Sequence, residues 1–201
     1  MSEEKTMVPF KKWLLVTVVT VVVSVALSVG ITVGVMKGND DDNDNTEATS
    51  LLQELDDQKA LEEERLAIFD DLDFNVFTNQ KWDELGRSHH EDIVVHWPDG
   101  RITTGRDTHV DDLDFMFTYA PDTNILEHPI RFAFGDYTAV TGILRGTFSE
   151  PMAIGDGQFI EPTGNTFEIT MATIGRWEGL VMVEEFLFWD NQTFMKQIGL
   201  A

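Results

Sequence analysis

Between Trp13 and Met36 the chain reads WLLVTVVTVVVSVALSVGITVGVM, with no charge and no proline. As a helix its ~24 residues at ~1.5 Å each reach ~36 Å, enough for a ~30 Å hydrocarbon layer. A core helix of that length would carry polar punctuation, which this one lacks. A cleaved signal peptide has a shorter apolar core of about 7–15 residues and a small-residue cleavage site. Ala26-Leu27-Ser28 is a poor copy of one. The expectation is a transmembrane signal-anchor helix over 13–36. Lys5, Lys11 and Lys12 precede it, whereas Asp40, Asp41, Asp42 and Asp44 follow Lys37. Positive charge stays inside, so residues 1–12 are expected in the cytoplasm and the C-terminal part in a lumen or outside the cell.

The acidic residues that follow divide the rest. Residues 37–57 read as an acidic tether and 58–201 as one folded domain, long enough for a core of its own. A formal net charge of −22 argues against nucleic acid and anionic lipid headgroups, which both need basic patches. The bilayer is met only through 13–36. Asp40 to Asp44 does not make a calcium loop, because Asn45 stands where glycine is required and Leu51 where glutamate is required. The absence of cysteine excludes disulfides, thiolate metal sites and thiol nucleophiles. Asn191-Gln192-Thr193 is a formal glycosylation sequon.

Within the domain, Leu61, Ile68, Leu72 and Val76 recur at helical spacing, so Leu51 to about Asn79 is expected as helix and Trp82 to His90 as a second, shorter one. Asp92 to Trp97 is a β-rich run stopped by Pro98-Asp99-Gly100. Thr108 to Tyr119 reads as helix ended by Pro121. Four strands should follow, Ile125–Phe134, Tyr137–Phe148, Thr166–Trp177 and Leu180–Trp189, with hairpin breaks at Gly135-Asp136 and Glu178-Gly179. The loop Glu150 to Gly164 is long enough for a lid or a dimer contact. Helices followed by antiparallel strands make an α+β fold.

This order resembles the nuclear transport factor 2-like cone, with N-terminal helices packed on a strongly curved, mostly antiparallel sheet. Asp99-Gly100 with Gly105-Arg106-Asp107-Thr108-His109, Gly146-Thr147-Phe148, Pro162-Thr163-Gly164 and Glu184-Glu185…Asp190…Gln197-Ile198-Gly199 narrow the resemblance to the SnoaL-like polyketide cyclase, or ester cyclase, branch. It covers about Leu61 to Ala201. It implies a pocket in the mouth of the cone for a small apolar molecule, and homodimers formed through the outer face of the sheet. The relatives' acid–base positions fall on Trp97 and Leu187, neither of which moves a proton. A third falls near Met171 to Thr173.

Alternation along the last strand puts Val183, Glu185, Leu187 and Trp189 on one face and Met182, Glu184, Phe186 and Phe188 on the other. Apolar neighbours would raise the pKa of Glu185 and fit it for proton transfer. It would serve equally as the partner of Arg145 or Arg131 in a structural ion pair. His96 or Tyr119 would polarise a carbonyl. Trp97, Asp99, His109 and Arg145 complete the expected pocket. His96, Asp99 and His109 as a metal trio is disfavoured, because Asp99 suits an Asx turn. His89-His90 reads as a helix end. No cofactor and no metal is expected. Two functions stay open: cyclisation or isomerisation of a small carbonyl compound through Glu185 and His96, or a non-catalytic ligand-binding or dimerisation module.

Overall fold

The computed structural model describes residues 41–201, with side chains from Thr46 onward. The expected cytoplasmic segment 1–12 and anchor 13–36 lie outside the described residues. Among the described residues no helix is long and apolar enough to cross a membrane. Glu54–Ala201 form one compact unit, which holds the sheet and every site described here.

Helix α1 runs Asp41–Asp71. Much of the acidic stretch expected as a tether is therefore helical. No glycine or proline occurs between Asn39 and Asn79, and Leu, Glu, Gln and Ala are good helix formers. The helix then widens into a π-helical turn, Leu72–Phe77. The wider turn lets Leu72, Val76 and Phe77 all be buried, and it sets Asp73 against the interior.

The fully buried Arg65 ties α1 to the sheet. Its Nε donates to the Gly179 carbonyl (2.8 Å), one terminal nitrogen to the Gly135 carbonyl (2.7 Å), and the other to Asp136 Oδ1 (3.3 Å). Gly135 N donates in turn to Glu62 Oε1 at 2.7 Å. Gly135 and Gly179 have φ of 56° and 59°, left-handed values that suit glycine and make the two hairpin breaks possible. One guanidinium thus holds both turns.

A 3-10 turn, Trp82–Arg87, replaces the expected second helix, and strand β1 (His89–His96) begins earlier than expected. β2 (Ile102–Thr104), α2 (Arg106–Tyr119), β3 (Asn124–Ile125), β4 (Ile130–Phe134) and β5 (Tyr137–Thr147) follow. The strand expected from Ile125 to Phe134 is thus two. β6 (Met152–Gly155) and β7 (Gln158–Ile160) form a separate hairpin where a loop was expected. β8 (Thr166–Glu178), β9 (Val181–Trp189) and α3 (Asn191–Gln197) complete the chain. The main sheet has the order β2-β1-β9-β8-β5-β3, with β4 also on β5. Among the described residues only β1 and β9 pair in parallel, so the sheet is mixed. The α+β class and the long N-terminal helix match expectation.

Two apolar clusters fill the interior. Phe69, Leu72, Val76, Ile93, Trp177 and Met182 belong to one, and Phe77, Phe117, Ile125, Leu144, Phe148 and Phe167 to the other. Met182 was expected on the outer face, yet it is fully buried. The cause is a bulge: Arg176 pairs with Glu184 and Trp177 with Met182, which leaves Val183 unpaired and reverses the phase of the strand.

Candidate functional site

Where the two clusters meet lies a chamber of about 40 Å3, lined by Leu72, Asp73, Phe77, His89, His109, Leu113, Ile125, Met171, Thr173, Glu185 and Leu187. A second cavity of about 60 Å3 shares Phe77, Leu113, Met171 and Leu187 with it and adds Trp97, Met116 and Trp189. Trp97, Asp112, Met116 and Trp189 also line an outer cleft of about 220 Å3 with Asp99, Arg101, Phe115, Tyr119 and Asn191. The second cavity thus shares lining residues with both of the others. Trp97 and Trp189 meet edge to face, 6.5 Å between ring centroids, on the wall common to the cleft and the second cavity.

The inner end is polar. β9 projects Glu185 beside Leu187, β1 projects His89 from its first residue, and the first turn of α2 supplies His109. His109 Nε2 is 3.3 Å from Glu185 Oε2, and His89 Nε2 is 3.9 Å from the same oxygen. The two imidazoles stack with centroids 5.2 Å apart. Burial pushes His109 down to about 4 against the pull of Glu185, so its ring is neutral at pH 7. For Glu185, burial works to raise the carboxyl, but contact with His89 and the attraction of His109 outweigh it, and the group lies below its ordinary value. The expectation of a raised value missed these imidazoles. The alternative partners are engaged elsewhere: Arg145 pairs with Glu127 and Glu168, and Arg131 with Asp70.

Across the chamber stands Asp73, a residue the sequence did not mark. Burial raises its pKa, with His128 pulling the other way. Asp73 Oδ2 is 2.8 Å from His128 Nε2, and His128 Nδ1 is 2.8 Å from Asp70 Oδ1. Asp70 in turn meets Arg131 at 2.9 Å. For His128, burial works downward, but the hydrogen bonds and charges of Asp73 and Asp70 raise it overall. A raised histidine stabilises the fold fully below its unfolded pKa of about 6.5, and the contribution fades as pH rises through the folded pKa. We therefore expect His128→Gln to lose more stability relative to wild type at pH 6 than at pH 9. Urea midpoints measured at the two pH values check this, and an equal gap contradicts it.

The other expected site residues divide. Trp97, Tyr119, Asp99 and Trp189 line the outer cleft, where Asp99 accepts from Arg101 Nε at 2.9 Å and Arg101 lies 5.1 Å over the Trp97 ring. Asp99 also accepts from the Arg101 backbone N, the Asx-type contact expected of it. Burial pushes the Tyr119 hydroxyl up to about 12. Leu187 and His109 line the inner chamber. Three residues do not belong there. His96 lies on the opposite face of β1, bonded to Glu184 at 2.9 Å and stacked on Phe186 at 4.2 Å. Strand alternation turns it away, because Ile93 and Val95 point inward. Arg145 lies with Glu168 in a separate surface groove. Val183 is the bulged residue. His89, read as a helix end, instead opens a strand and enters the chamber. Its place beside Ser88 gave no pattern by which to find it.

The model of the SnoaL-like polyketide cyclase family matches residues 47–198. Among solved structures, IdmH from Streptomyces antibioticus, a proposed polyketide cyclase, is 25% identical with a TM-score of 0.53, covering 63% of this chain and 92% of its own. A proposed SnoaL-like polyketide cyclase from Jannaschia sp. CCS1 is 15% identical with a TM-score of 0.61, covering 70% and 95%. A proposed polyketide cyclase from Xanthomonas campestris pv. campestris is 13% identical with a TM-score of 0.59, covering 69% and 98%. The last two likenesses carry the fold alone. Comparison with curated proteins gives no match. The chain belongs to the SnoaL-like polyketide cyclase family.

Proposed function

We propose that this domain moves a proton on a small carbonyl compound, in a cyclisation of the kind its relatives' descriptions name or in an isomerisation. Asp73 carries the proton, and the His89 and His109 imidazoles face the carbonyl oxygen. The observation behind this is Asp73 itself. It is a carboxyl on the chamber wall whose burial favours the protonated form, and hydrogen bonds link it through His128 to the partly exposed Asp70. General acid–base work needs a carboxyl shifted toward neutrality and a way to restore its proton. The chamber is too small for a whole substrate. Only the reacting end enters it, with Trp97 and Trp189 holding the rest in the outer cleft. Glu185, the carrier expected from the sequence, faces the same space in its ionised form.

The test is deuterium uptake from heavy water into the α-carbon of a small cyclic ketone such as cyclohexanone, followed by NMR. Uptake faster than in buffer and in boiled protein supports the reading. Uptake equal to buffer across a panel of small ketones counts against it and favours the ligand-binding module.

We propose further that 13–36 anchors the chain in a bilayer with its C-terminal domain luminal or extracellular, on the strength of the uncharged run and its lysine flank. Pairing of two copies through the outer sheet face is the companion proposal. Ile130, Phe132, Phe134, Tyr137, Ile174 and Phe188 are exposed there on neighbouring strands. Sedimentation of the detergent-solubilised chain is expected to give dimer at micromolar concentration, shifted to monomer by Phe132→Glu. Monomer throughout contradicts the pairing.

A further inference from the structure

The inner end of the chamber holds an arrangement that proton transfer by Asp73 does not need. The His89, His109 and Glu185 side chains are 1%, 2% and 6% exposed, and their ligating atoms lie within 4.8 Å of one another. Among the described residues, His89 Nε2 and Glu185 Oε2 have no hydrogen-bond partner. Ser88 Oγ lies 3.2 Å from the Leu85 carbonyl, to which it donates, and 2.8 Å from His89 Nδ1. His89 Nε2 faces a carboxylate oxygen across 3.9 Å, in a chamber walled by Leu72, Phe77 and Leu187. The separation is too long for a hydrogen bond. Two buried polar atoms held apart in this way stay unsatisfied unless a ligand stands between them, and a cation coordinated by both satisfies them.

We propose that His89, His109 and Glu185 form a binding site for a divalent first-row transition ion, zinc(II) being the type. An ion with bonds of about 2.0–2.2 Å to nitrogen and oxygen holds neighbouring tetrahedral ligands about 3.4 Å apart. His109 Nε2 and Glu185 Oε2 are already 3.3 Å apart, and His89 needs to approach by about half an ångström. Two imidazoles and one carboxylate without thiolate suit zinc, iron or manganese. The Ser88 hydroxyl orients His89 in the way outer partners hold ligating histidines, whereas His109 Nδ1 has no partner among the described residues. Three protein ligands leave a fourth position, as in catalytic rather than structural zinc sites. A chamber of about 40 Å3 accommodates an ion with a water or one carbonyl oxygen. The inference needs only the three side chains and stands apart from the proposed reaction. With the ion in place Glu185 is a ligand, and Asp73 remains the proton carrier.

The experiment uses the untagged full chain in detergent, stripped with chelator, desalted and titrated with cobalt(II). Visible absorption distinguishes tetrahedral from octahedral cobalt, and zinc(II) competition gives the affinity. One tetrahedral site per chain is expected, weakened about 100-fold or more by His89→Ala or Glu185→Gln and unchanged by His96→Ala on the outer face. Ser88→Ala leaves the ligands in place and is expected to weaken binding roughly 10-fold. It keeps the test decisive should the ligand variants fail to fold. Octahedral cobalt alone, as weak binding by the acidic helix would give, overturns the proposal. So does tetrahedral binding of equal affinity in wild type and Ser88→Ala. Neither readout uses a substrate, so failure here is distinct from failure of the ketone experiment.

Discussion

Replacing Arg65 with methionine is expected to cost on the order of 3–5 kcal/mol, a large part of the stability of a domain this size. Methionine fills most of the space but donates nothing. The Gly135 and Gly179 carbonyls, now bonded at 2.7 and 2.8 Å, lose their partner at the interface between α1 and both hairpin turns. Hydrogen bonds from a charged donor contribute about 1.5–3 kcal/mol each, and water recovers part of that at these half-buried turns. The ion pair contributes little by comparison, because Asp136 is 73% exposed and such pairs add about 0–1 kcal/mol. Asp136→Ala should therefore be nearly silent. Guanidinium denaturation of the two variants beside wild type separates the contributions. A loss below about 1 kcal/mol for Arg65→Met would show that water replaces the guanidinium at both turns.

Arg65 also shows what kind of feature a sequence hides. Both turns it holds were legible as Gly135-Asp136 and Glu178-Gly179, because glycine beside an acid has a local signature. An arginine among Glu62, Glu63 and Glu64 on a helix looks like one more solvated charge. Its burial follows only from how α1 packs on turns some 70 and 114 residues away. The strands were legible for the same reason as the turns: β5, β8 and β9 carry dense β-branched and aromatic runs and end within two residues of expectation. The short 3-10 turn before β1 was not, since Trp82 to His90 satisfies a helical pattern without forming an α-helix.

The site divides along the same line. Glu185 and His109 were marked because strand period and family motif both point at them. Leu187 lines the chamber and the second cavity, and Trp97 the second cavity. Val183 and Met182 exchanged places because a bulge, which strand alternation does not encode, intervenes. His89, Asp73 and His128 come from a strand start, a π-helical turn and the segment between β3 and β4. None of the three sits in a pattern, and only the fold brings them within reach of one another.

Asp73 carries the second large expectation. Asp73→Asn keeps an oxygen to accept from His128 Nε2, so the fold and the 2.8 Å contact should survive. The amide cannot exchange a proton at neutral pH, and loss of a positioned acid–base group typically costs about 10²–10⁴-fold in rate. His128→Gln should fall between, since Asp73 stays but its link to Asp70 is cut. Glu185→Gln, which leaves Asp73 and its link intact, separates the two carboxyls. If Glu185 is the carrier, its variant rather than Asp73→Asn shows the larger drop. The most direct measurement is the initial rate of deuterium uptake into cyclohexanone by wild type and Asp73→Asn, at equal concentrations of folded protein and neutral pH. A fall of about 100-fold or more in the variant is predicted, whereas equal rates in the two proteins would contradict the assignment of the proton to Asp73.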